Sequence, residues 1–326
     1  MSSPVRSGLI TSESRGAGGW FERFGALGGL LLLCCVLSIL SPNFLSVDNL
    51  MNVARQISIN GIVAVGMTIV IATSGIDLSV GSVLALSACA AALMTGHVPL
   101  GVALMGGIVV GALSGLFNGL LITLLRISPF IATLGMMSMA RGGALVLTDG
   151  MPIDDLPPGL NALAGQIGPI PVPLLVMVVV AVLGAVILNR TSLGRVAIAL
   201  GSNEEAARLS GIPVHRFKLA IYAFNGALAG LAGIMLMARL SSAQPSGGGL
   251  MELDAIAAVV IGGASLMGGK ASIGGTIVGV TIIGVLRNGL VLLDVSAFWQ
   301  QLVIGIVIIM AVAADQWRTQ RRQGGF

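Results

Sequence analysis

The segment of this chain that most resembles a chemical motif is the glycine-rich stretch from Ala264 to Ala271. A phosphate-binding loop needs glycine at its first position and serine or threonine directly after its lysine. Alanine occupies both positions here, at Ala264 and at Ala271 after Lys270, and no predicted strand precedes the segment. We therefore predict that the chain itself binds no ATP.

The other reactive side chains do not form a catalytic group. His97 and His215 have no metal-ligand companion at a suitable spacing, and Cys34, Cys35 and Cys89 lie in apolar runs. No nucleophile stands beside a candidate base. The prediction is that the chain is not an enzyme and has no catalytic residue, no metal site and no cofactor. Any ATP hydrolysis would occur on a partner subunit.

Asp77 is the acidic residue whose position most invites a functional interpretation. It follows Gly75 and precedes Ser79, between two apolar runs long enough to span a membrane. One interpretation is a cap that satisfies free amides where one helix ends and the next begins. The other is a polar point in a translocation path or gate, because ionisable residues inside a membrane are functional candidates by default. Both interpretations can hold together.

Arg141 is predicted to lie inside a membrane helix, about 18 Å along it from Pro129. An arginine at that depth costs about 2.5–3.5 kcal/mol to insert unless it is paired or hydrated. Pairing across a dimer or with helix-end carbonyls is one explanation, and lining a water-filled path is the other. We expect Asp77 near the inner membrane face and Arg141 in the outer half, so that the two do not pair.

Asn118 and Asn288 are further candidates for the path. Each is followed by Gly-Leu, which hints at a weak repeat between 111–122 and 279–292. The predicted topology runs the two segments in opposite directions, as an inverted repeat would. A chance match between short apolar stretches explains the similarity equally well.

These residues belong to a chain with the composition of a membrane protein. Of its 326 residues 56% are hydrophobic and 9% are charged, whereas soluble domains carry roughly 25% charged residues. Several continuous apolar runs reach the roughly 20 residues that a spanning helix needs, and without strand-like alternation they favour helices over a barrel. The predicted fold is an all-α polytopic membrane bundle with about 10 transmembrane helices, in the range 8–10. The predicted spans are roughly 25–41, 59–76, 79–96, 99–125, 129–148, 171–189, 217–239, 252–265, 274–292 and 298–314.

The distribution of charge predicts the orientation of these helices. With ten spans, most of the 17 basic residues fall on one side, and acidic residues such as Asp48, Asp149 and Asp294 fall on the other. The positive-inside rule then places both termini in the cytoplasm of a multi-pass inner-membrane protein. Arg239 and Arg287 would lie near outer span ends and extend their charged groups toward the membrane surface.

The predicted domain organisation is simple. Residues 1–24 form a cytoplasmic N-terminal tail, residues 25–315 form a single transmembrane domain, and residues 316–326 form a basic cytoplasmic tail. Such a basic tail anchors the topology and can contact anionic membrane lipid.

The segment 190–218 is a charged island in the middle of this apolar chain. Ser202 or Asn203 is a natural N-cap, Gly211 can end a helix, and Pro213 prevents its continuation. The pattern predicts a short cytoplasmic helix over 203–210. A solvated connector is the simplest interpretation, but the regular punctuation by glycine and proline favours a structured contact surface. The charged residues are Arg190, Arg195, Glu204, Glu205, Arg208, Arg216 and Lys218.

Three motifs resemble those of a known family. Glu205-Ala206-Ala207, followed by Gly211, resembles the Glu-Ala-Ala loop of ABC importer permeases. The stretches 73–81 and 129–136 are similar to hallmarks of the ribose-type, monosaccharide-importing permeases, and the resemblance extends over roughly residues 45–315. It implies the ABC importer permease fold, with 190–218 as the loop that couples the permease to its ATPase. The residues expected in that contact are Arg195, Glu204, Glu205, Ala206, Ala207, Arg208 and Gly211, with Leu209 joining the two alanines in the groove of the ATPase.

The resemblance also implies partners and a transport path. The expected partners are a cytoplasmic ABC ATPase, an extracytoplasmic sugar-binding protein, and a second permease that is either identical or a paralogue, with no role for nucleic acid. Thr133, within the second motif, joins the candidates for the translocation path or gate. The full set of these candidates is Asp77, Asn118, Thr133, Arg141 and Asn288.

The predicted function is therefore the membrane-spanning subunit of an ATP-driven importer of a monosaccharide, either ribose or a related pentose or hexose. Within the same fold, import of a nucleoside, a branched-chain amino acid or a furanosyl signal is an alternative. An ion-coupled secondary transporter belongs to a different class and should show midplane carboxylates. Only Asp77 is a candidate for that role.

Overall fold

The computed structural model describes residues 18–323, with side chains described for 26–313 and 316. It is a bundle of α-helices with one short antiparallel hairpin, which confirms the predicted all-α class. A single 3-10 turn, Pro158–Leu160, precedes the hairpin strands β1 (Gln166–Ile167) and β2 (Ile170–Pro171). The helices are α1 (Gly18–Leu40), α2 (Val47–Ala72), α3 (Val80–Thr95), α4 (Leu100–Thr123), α5 (Pro129–Leu147), α6 (Asn161–Ala164), α7 (Val172–Arg190), α8 (Ser192–Leu209), α9 (Val214–Leu240), α10 (Met251–Ile261), α11 (Ile273–Leu292) and α12 (Ala297–Gln323).

The helices differ in their capacity to cross a membrane. Within residues 18–323, six are long and apolar enough to do so, namely α2, α4, α5, α7, α9 and α11. Shorter apolar helices cover Ala26–Leu40, Val80–Thr95 and Ala297–Ala313. The 11 residues of α10 extend only about 16 Å, roughly half of a hydrocarbon core. The total of about ten spans therefore stays a prediction.

The first and last helices extend into the segments predicted to be tails. α1 already begins at Gly18, and α12 continues to Gln323. Helical backbone therefore includes the end of the predicted tail 1–24 and most of the predicted basic tail 316–326. Residues 1–17 and 324–326, and the basic side chains near the C-terminus, lie outside the described part of the chain.

α2 is the central helix of the bundle. From Ile57 to Ala72 nearly every residue is buried, and α7, α9, α10 and α11 pack around it. A helix that is apolar on all sides fits a position with no side facing lipid or solvent. Its middle and its C-terminal end each form part of a site described below.

α4 and α9 pack with their backbones in contact. Gly111 and Gly115 of α4 face Gly226 and Gly230 of α9. A Cβ atom at Gly115 would collide with the carbonyl oxygen of Tyr222, so no larger residue allows this approach. Small residues four positions apart are the usual means by which membrane helices approach closely. This contact holds together two of the helices that carry the polar cluster described below.

Candidate functional site

The charged segment 190–218 folds as α8 and the turn that leads into α9. α8 bends at Asn203, whose backbone leaves the helical region with φ −164° and ψ 100°. The Oδ1 atom of Asn203 accepts a hydrogen bond from the backbone N–H of Ala206 at 2.9 Å, which caps the last section of the helix. Gly211 follows in a left-handed conformation, φ +81°, and its N–H donates to the carbonyl of Arg208 at 3.0 Å. The predicted short helix and its two end residues are confirmed, and we call residues 204–209 the α8 tip.

The charges of the α8 tip are partly neutralised within the chain. Arg208 donates to both carboxylate oxygens of Glu205 at 2.6 and 2.8 Å, and both side chains are more than 60% exposed. These hydrogen bonds raise the pKa of Arg208. Glu204 accepts a hydrogen bond from Lys218 Nζ at 2.8 Å, which ties the tip to the start of α9. Because exposed pairs stabilise a fold little, Glu205 and Arg208 are free to exchange partners with a docked protein.

The two alanines of the Glu-Ala-Ala sequence face in different directions. Ala206 is exposed, whereas Ala207 is only 6% exposed and packs within the chain. Neighbouring helical residues point about 100° apart, so the helix cannot present both alanines on one face. The prediction that Ala207 fills a groove of the partner is therefore wrong. Leu209, which is 79% exposed, is three residues from Ala206 and shares its face.

Arg195 lies in the first section of α8, away from the tip. Its side chain is exposed, and its Nη1 atom donates to the carbonyl of Arg190 at 3.4 Å. The structure therefore does not bring Arg195 into the same surface as Ala206 and Leu209. A contact with a partner at Arg195 would be a second, separate contact along α8.

The bend of α8 is joined to the C-terminal end of α2. The hydroxyl of Ser74 lies 3.1 Å from the carbonyl oxygen of Gly201 and 2.5 Å from that of Met267, so its one proton is shared between two segments. Gly269 N–H donates to the carbonyl of Ala72 at 3.1 Å. A Cβ atom at Gly201 would collide with that same Ala72 carbonyl. A displacement of α8 must therefore act directly on the end of α2.

Asp77 lies directly after this junction, at the centre of a buried polar cluster. Its Oδ1 atom accepts hydrogen bonds from the N–H of Ser79 at 2.9 Å and from the Ser79 hydroxyl at 2.6 Å. Its Oδ2 atom accepts from Asn225 Nδ2 of α9 at 2.8 Å. Asn118 of α4 donates to the Ser79 hydroxyl at 3.0 Å. The hydroxyl of Thr133, on α5, accepts a hydrogen bond from the backbone N–H of Leu78 at 3.2 Å. Three of the five predicted path residues are thus brought together.

The cluster is closed to solvent in this conformation, since Asp77 is 1% exposed and Asn118 and Thr133 are 0% exposed. The contacts of Asp77 with Ser79 fit the capping interpretation. The bond to Asn225 goes beyond capping because it crosses to another helix. Asn225 was not predicted as a site residue, although a lone asparagine in the apolar α9 was a usable signal. The Oδ1 atoms of Asn118 and Asn225 are buried without a hydrogen-bond partner among the described residues.

The other two predicted path residues lie elsewhere. The guanidinium of Arg141 donates to the carbonyls of Pro245 and Gly247 at 3.2 and 3.4 Å, so backbone carbonyls satisfy it, although they belong to the α9–α10 loop and not to a helix end. Asn288 exchanges two hydrogen bonds with Asn49, at 3.0 and 2.7 Å. Neither residue contacts Asp77. For Arg141 we predicted that the two would not pair.

A polar cavity of about 350 Å³ lies beside the middle of α2, at the end of α9 that is remote from α8. Arg287 Nη2 donates to both carboxylate oxygens of Asp254 at 2.8 and 3.0 Å, and Asp254 is 6% exposed. The prediction that Arg287 extends freely to the membrane surface is therefore wrong, because its charge is satisfied inside the bundle. The polar side chains that line the cavity are Gln56, Asn60, Arg239, Gln244, Ser246, Asp254 and Arg287.

The chain belongs to the transport permease family described as branched-chain amino acid transport system / permease component, which residues 49–312 match. Among curated proteins it is similar to the ribose import permease protein RbsC of Bacillus subtilis (strain 168), with 50% identity over 91% of this chain and 94% of that protein. The same-named protein of Escherichia coli (strain K12) is 47% identical over equal shares. The L-arabinose ABC transporter permease protein AraH of Azospirillum brasilense is 36% identical over 98% of this chain and 96% of that protein. No solved structure matches the chain.

Proposed function

We propose that this chain is the membrane-spanning subunit of an ATP-driven importer that moves ribose, or a closely related monosaccharide, into the cytoplasm. The observation that carries the proposal is nearly full-length similarity, at 45–50% identity, to several ribose import permeases. The chain is a transport permease and not an enzyme, so the energy comes from an ATPase on a partner subunit. Nucleoside or amino-acid import is less favoured, because the similar permeases named above are sugar permeases.

The proposed contact with the ATPase is the α8 tip. Ala206 and Leu209 form its exposed apolar face, and Glu205 and Arg208 flank that face with charge. Apolar contact at the centre with a charged rim is the usual anatomy of a protein interface. Glu204, Ala207 and Gly211 support the tip from within the chain, and Arg195 adds a separate contact along α8.

The proposed orientation places α8 in the cytoplasm, together with both chain termini, in an inner-membrane protein of about ten spans. The contacts support it, because three segments that the charge rule assigns to the inside meet at one point. These segments contribute Ser74, Gly201 and Met267 to a single shared hydrogen bond. Segments assigned to the outside also meet, since Ile153 and Ala243 exchange two backbone hydrogen bonds.

The proposed gate is the buried cluster of Asp77, Asn118 and Thr133, which also contains Asn225. It lies next to the α8–α2 junction and joins the α2–α3 loop to α4, α5 and α9 through side-chain hydrogen bonds. A gate in this position would open when movement of α8 displaces the end of α2. Asn288 is left out of the path because its Oδ1 and its Nδ2 atoms both bond to Asn49, away from the cluster.

The remaining proposed partners are a sugar-binding protein on the outer face, a second permease copy or paralogue, and membrane lipid. Many apolar side chains of the membrane helices are exposed in the single chain, for example Val146 at 78% and Ile39 at 84%. Lipid and a second permease are the surroundings in which such surfaces are normally buried.

The experiment that tests the coupling proposal is co-purification of the tagged permease with its ATPase, followed by measurement of ATPase stimulation by the sugar-loaded binding protein. We expect a stable complex and stimulated hydrolysis. Ala206→Arg should abolish stimulation without unfolding the permease, because that side chain faces outward. Normal stimulation in Ala206→Arg would contradict docking at the α8 tip.

A further inference from the structure

We infer that the cavity between α2, α9, α10 and α11 is a transit site for a neutral, hydroxyl-rich solute on its way from the outer face to the gate. The inference rests on the proposed function and adds a place on the chain where the sugar is held. The cavity volume of about 350 Å³ lies at the small end of the roughly 300–1,000 Å³ typical of ligand pockets. It suits a small solute better than a peptide or a large cofactor.

The position of the cavity fits a point of entry. Its lining residues Gln56 and Asn60 lie around the middle of α2, whereas Ser74 at the α8 junction follows the end of α2. From Asn60 to Ala72, the last residue of α2, the helix rises about 18 Å, more than half of a hydrocarbon core. Arg141 holds the Pro245 and Gly247 carbonyls of a loop that contributes Gly247 to the cavity wall. The cavity therefore lies at the end of α9 that is remote from the coupling surface, about 18 Å along α2 from the α8 junction.

The lining offers hydrogen-bonding groups that suit a hydroxyl-rich solute. Asp254 and Arg287 neutralise each other through two hydrogen bonds, whereas Arg239 is a further charged side chain of the lining, whose guanidinium can donate to hydroxyl oxygens. The carboxamides of Gln56 and Asn60 each provide donors and an acceptor. Sugar hydroxyls also donate and accept, so they match carboxamides better than an ammonium or a carboxylate does.

Gln56 and Asn60 are the residues that carry the assignment. They lie four positions apart on α2 and therefore project from the same face into the cavity. Both are partly exposed, and Asn60 lies within the stretch from Ile57 to Ala72 that is otherwise buried. A transported solute must be bound weakly enough to leave, and a few neutral hydrogen bonds provide such weak binding.

The test uses the full complex of permease, ATPase and sugar-binding protein in proteoliposomes, with labelled D-ribose as the probe. Asn60→Leu and Gln56→Leu each remove hydrogen-bonding groups from the wall. Each should lower the maximal uptake rate roughly two- to tenfold, the effect of losing one neutral hydrogen bond. Stimulation of the ATPase by the loaded binding protein should persist, so the sugar moved per ATP falls. Asn52→Leu is the matched control, because Asn52 is an exposed asparagine of α2 outside the cavity lining.

A second variant keeps the inference testable if a leucine variant does not fold. Ser246→Cys places a thiol in the cavity wall, and its reaction with a bulky thiol reagent should block ribose uptake. The wild-type protein treated with the same reagent is the control, because its native Cys35 is exposed and does not line the cavity.

Unchanged uptake in the leucine variants and after modification of Ser246→Cys would overturn the cavity assignment. Loss of ATPase stimulation together with uptake would also overturn it, because the residues would then act in coupling. Absence of ATP-driven ribose uptake by the wild-type complex would instead overturn the proposed function, which the wild-type vesicles test separately.

Discussion

Truncation of Leu209 to alanine is expected to weaken binding of the ATPase while leaving the permease folded. Leu209 exposes 79% of its surface in the isolated permease, so the fold of the permease depends little on this side chain. Complete burial of a leucine side chain stabilises by about 1.5–3 kcal/mol, so burial of the exposed part in a partner groove contributes about 1–2 kcal/mol. Because about 1.4 kcal/mol corresponds to a tenfold change in affinity, Leu209→Ala should weaken ATPase binding about five- to thirtyfold.

The affinity can be measured by titrating labelled ATPase subunit onto the permease in lipid nanodiscs at fixed ionic strength. Fixed salt is needed because the neighbouring Glu205 and Arg208 are exposed, and salt screens exposed charges. Val146→Ala is a matched control: Val146 is 78% exposed, but it lies at the end of α5 remote from α8. Leu209→Met keeps the apolar surface and should bind like wild type. Equal affinity of Leu209→Ala and wild type would refute docking through the α8 tip.

Three further predictions concern packing, the buried ion pair and the cap. Gly115→Leu should separate α4 from α9 and lower stability by about 1–3 kcal/mol or more, seen as earlier thermal unfolding in detergent, whereas Gly101→Leu on the same helix faces open space and should not. Arg287→Gln should destabilise by up to about 3–5 kcal/mol because it leaves Asp254 buried without its partner, and the added Asp254→Asn change should restore most of the loss in the same assay. Asn203→Ala should remove about 1 kcal/mol of capping and speed hydrogen exchange in residues 204–209, and Asn203→Ser should reverse the effect. An unchanged exchange rate in Asn203→Ala would contradict the capping assignment.

The α8 tip shows which features local sequence signals can predict. A capping asparagine, acidic residues in the first turn and a terminal Gly211 predict where the helix begins and ends, because all three effects act within a few residues. The direction in which Ala207 faces depends on how α8 packs against the rest of the bundle. That packing is non-local, so the prediction for Ala207 was wrong.

The polar sites also combine a part that local sequence predicts with a part that depends on non-local packing. Asp77, Asn118 and Thr133 were each identifiable as polar residues in apolar surroundings, but their meeting point depends on α4, α5 and α9 converging. The pairing of Arg287 with Asp254 was missed because the two residues belong to different helices. The rule that intramembrane charges pair could have pointed to it, since Asp254 also lies within a predicted span.

The cavity was missed for a different reason. Gln56 and Asn60 carry no charge, so a search for charged residues passes over them. Their spacing of four residues in an apolar helix was the available signal. Only the arrangement of α9, α10 and α11 around α2 shows that the two carboxamides share a cavity with Arg287.

The most direct test of the central claim is sugar uptake by sealed vesicles that contain the permease, its ATPase and the sugar-binding protein, with trapped ATP as the only energy source. An ATP-driven permease predicts labelled ribose uptake that requires ATP and hydrolysis by the partner, and that persists when a protonophore and a sodium ionophore abolish ion gradients. Uptake without ATP, driven by an imposed ion gradient, would contradict the account.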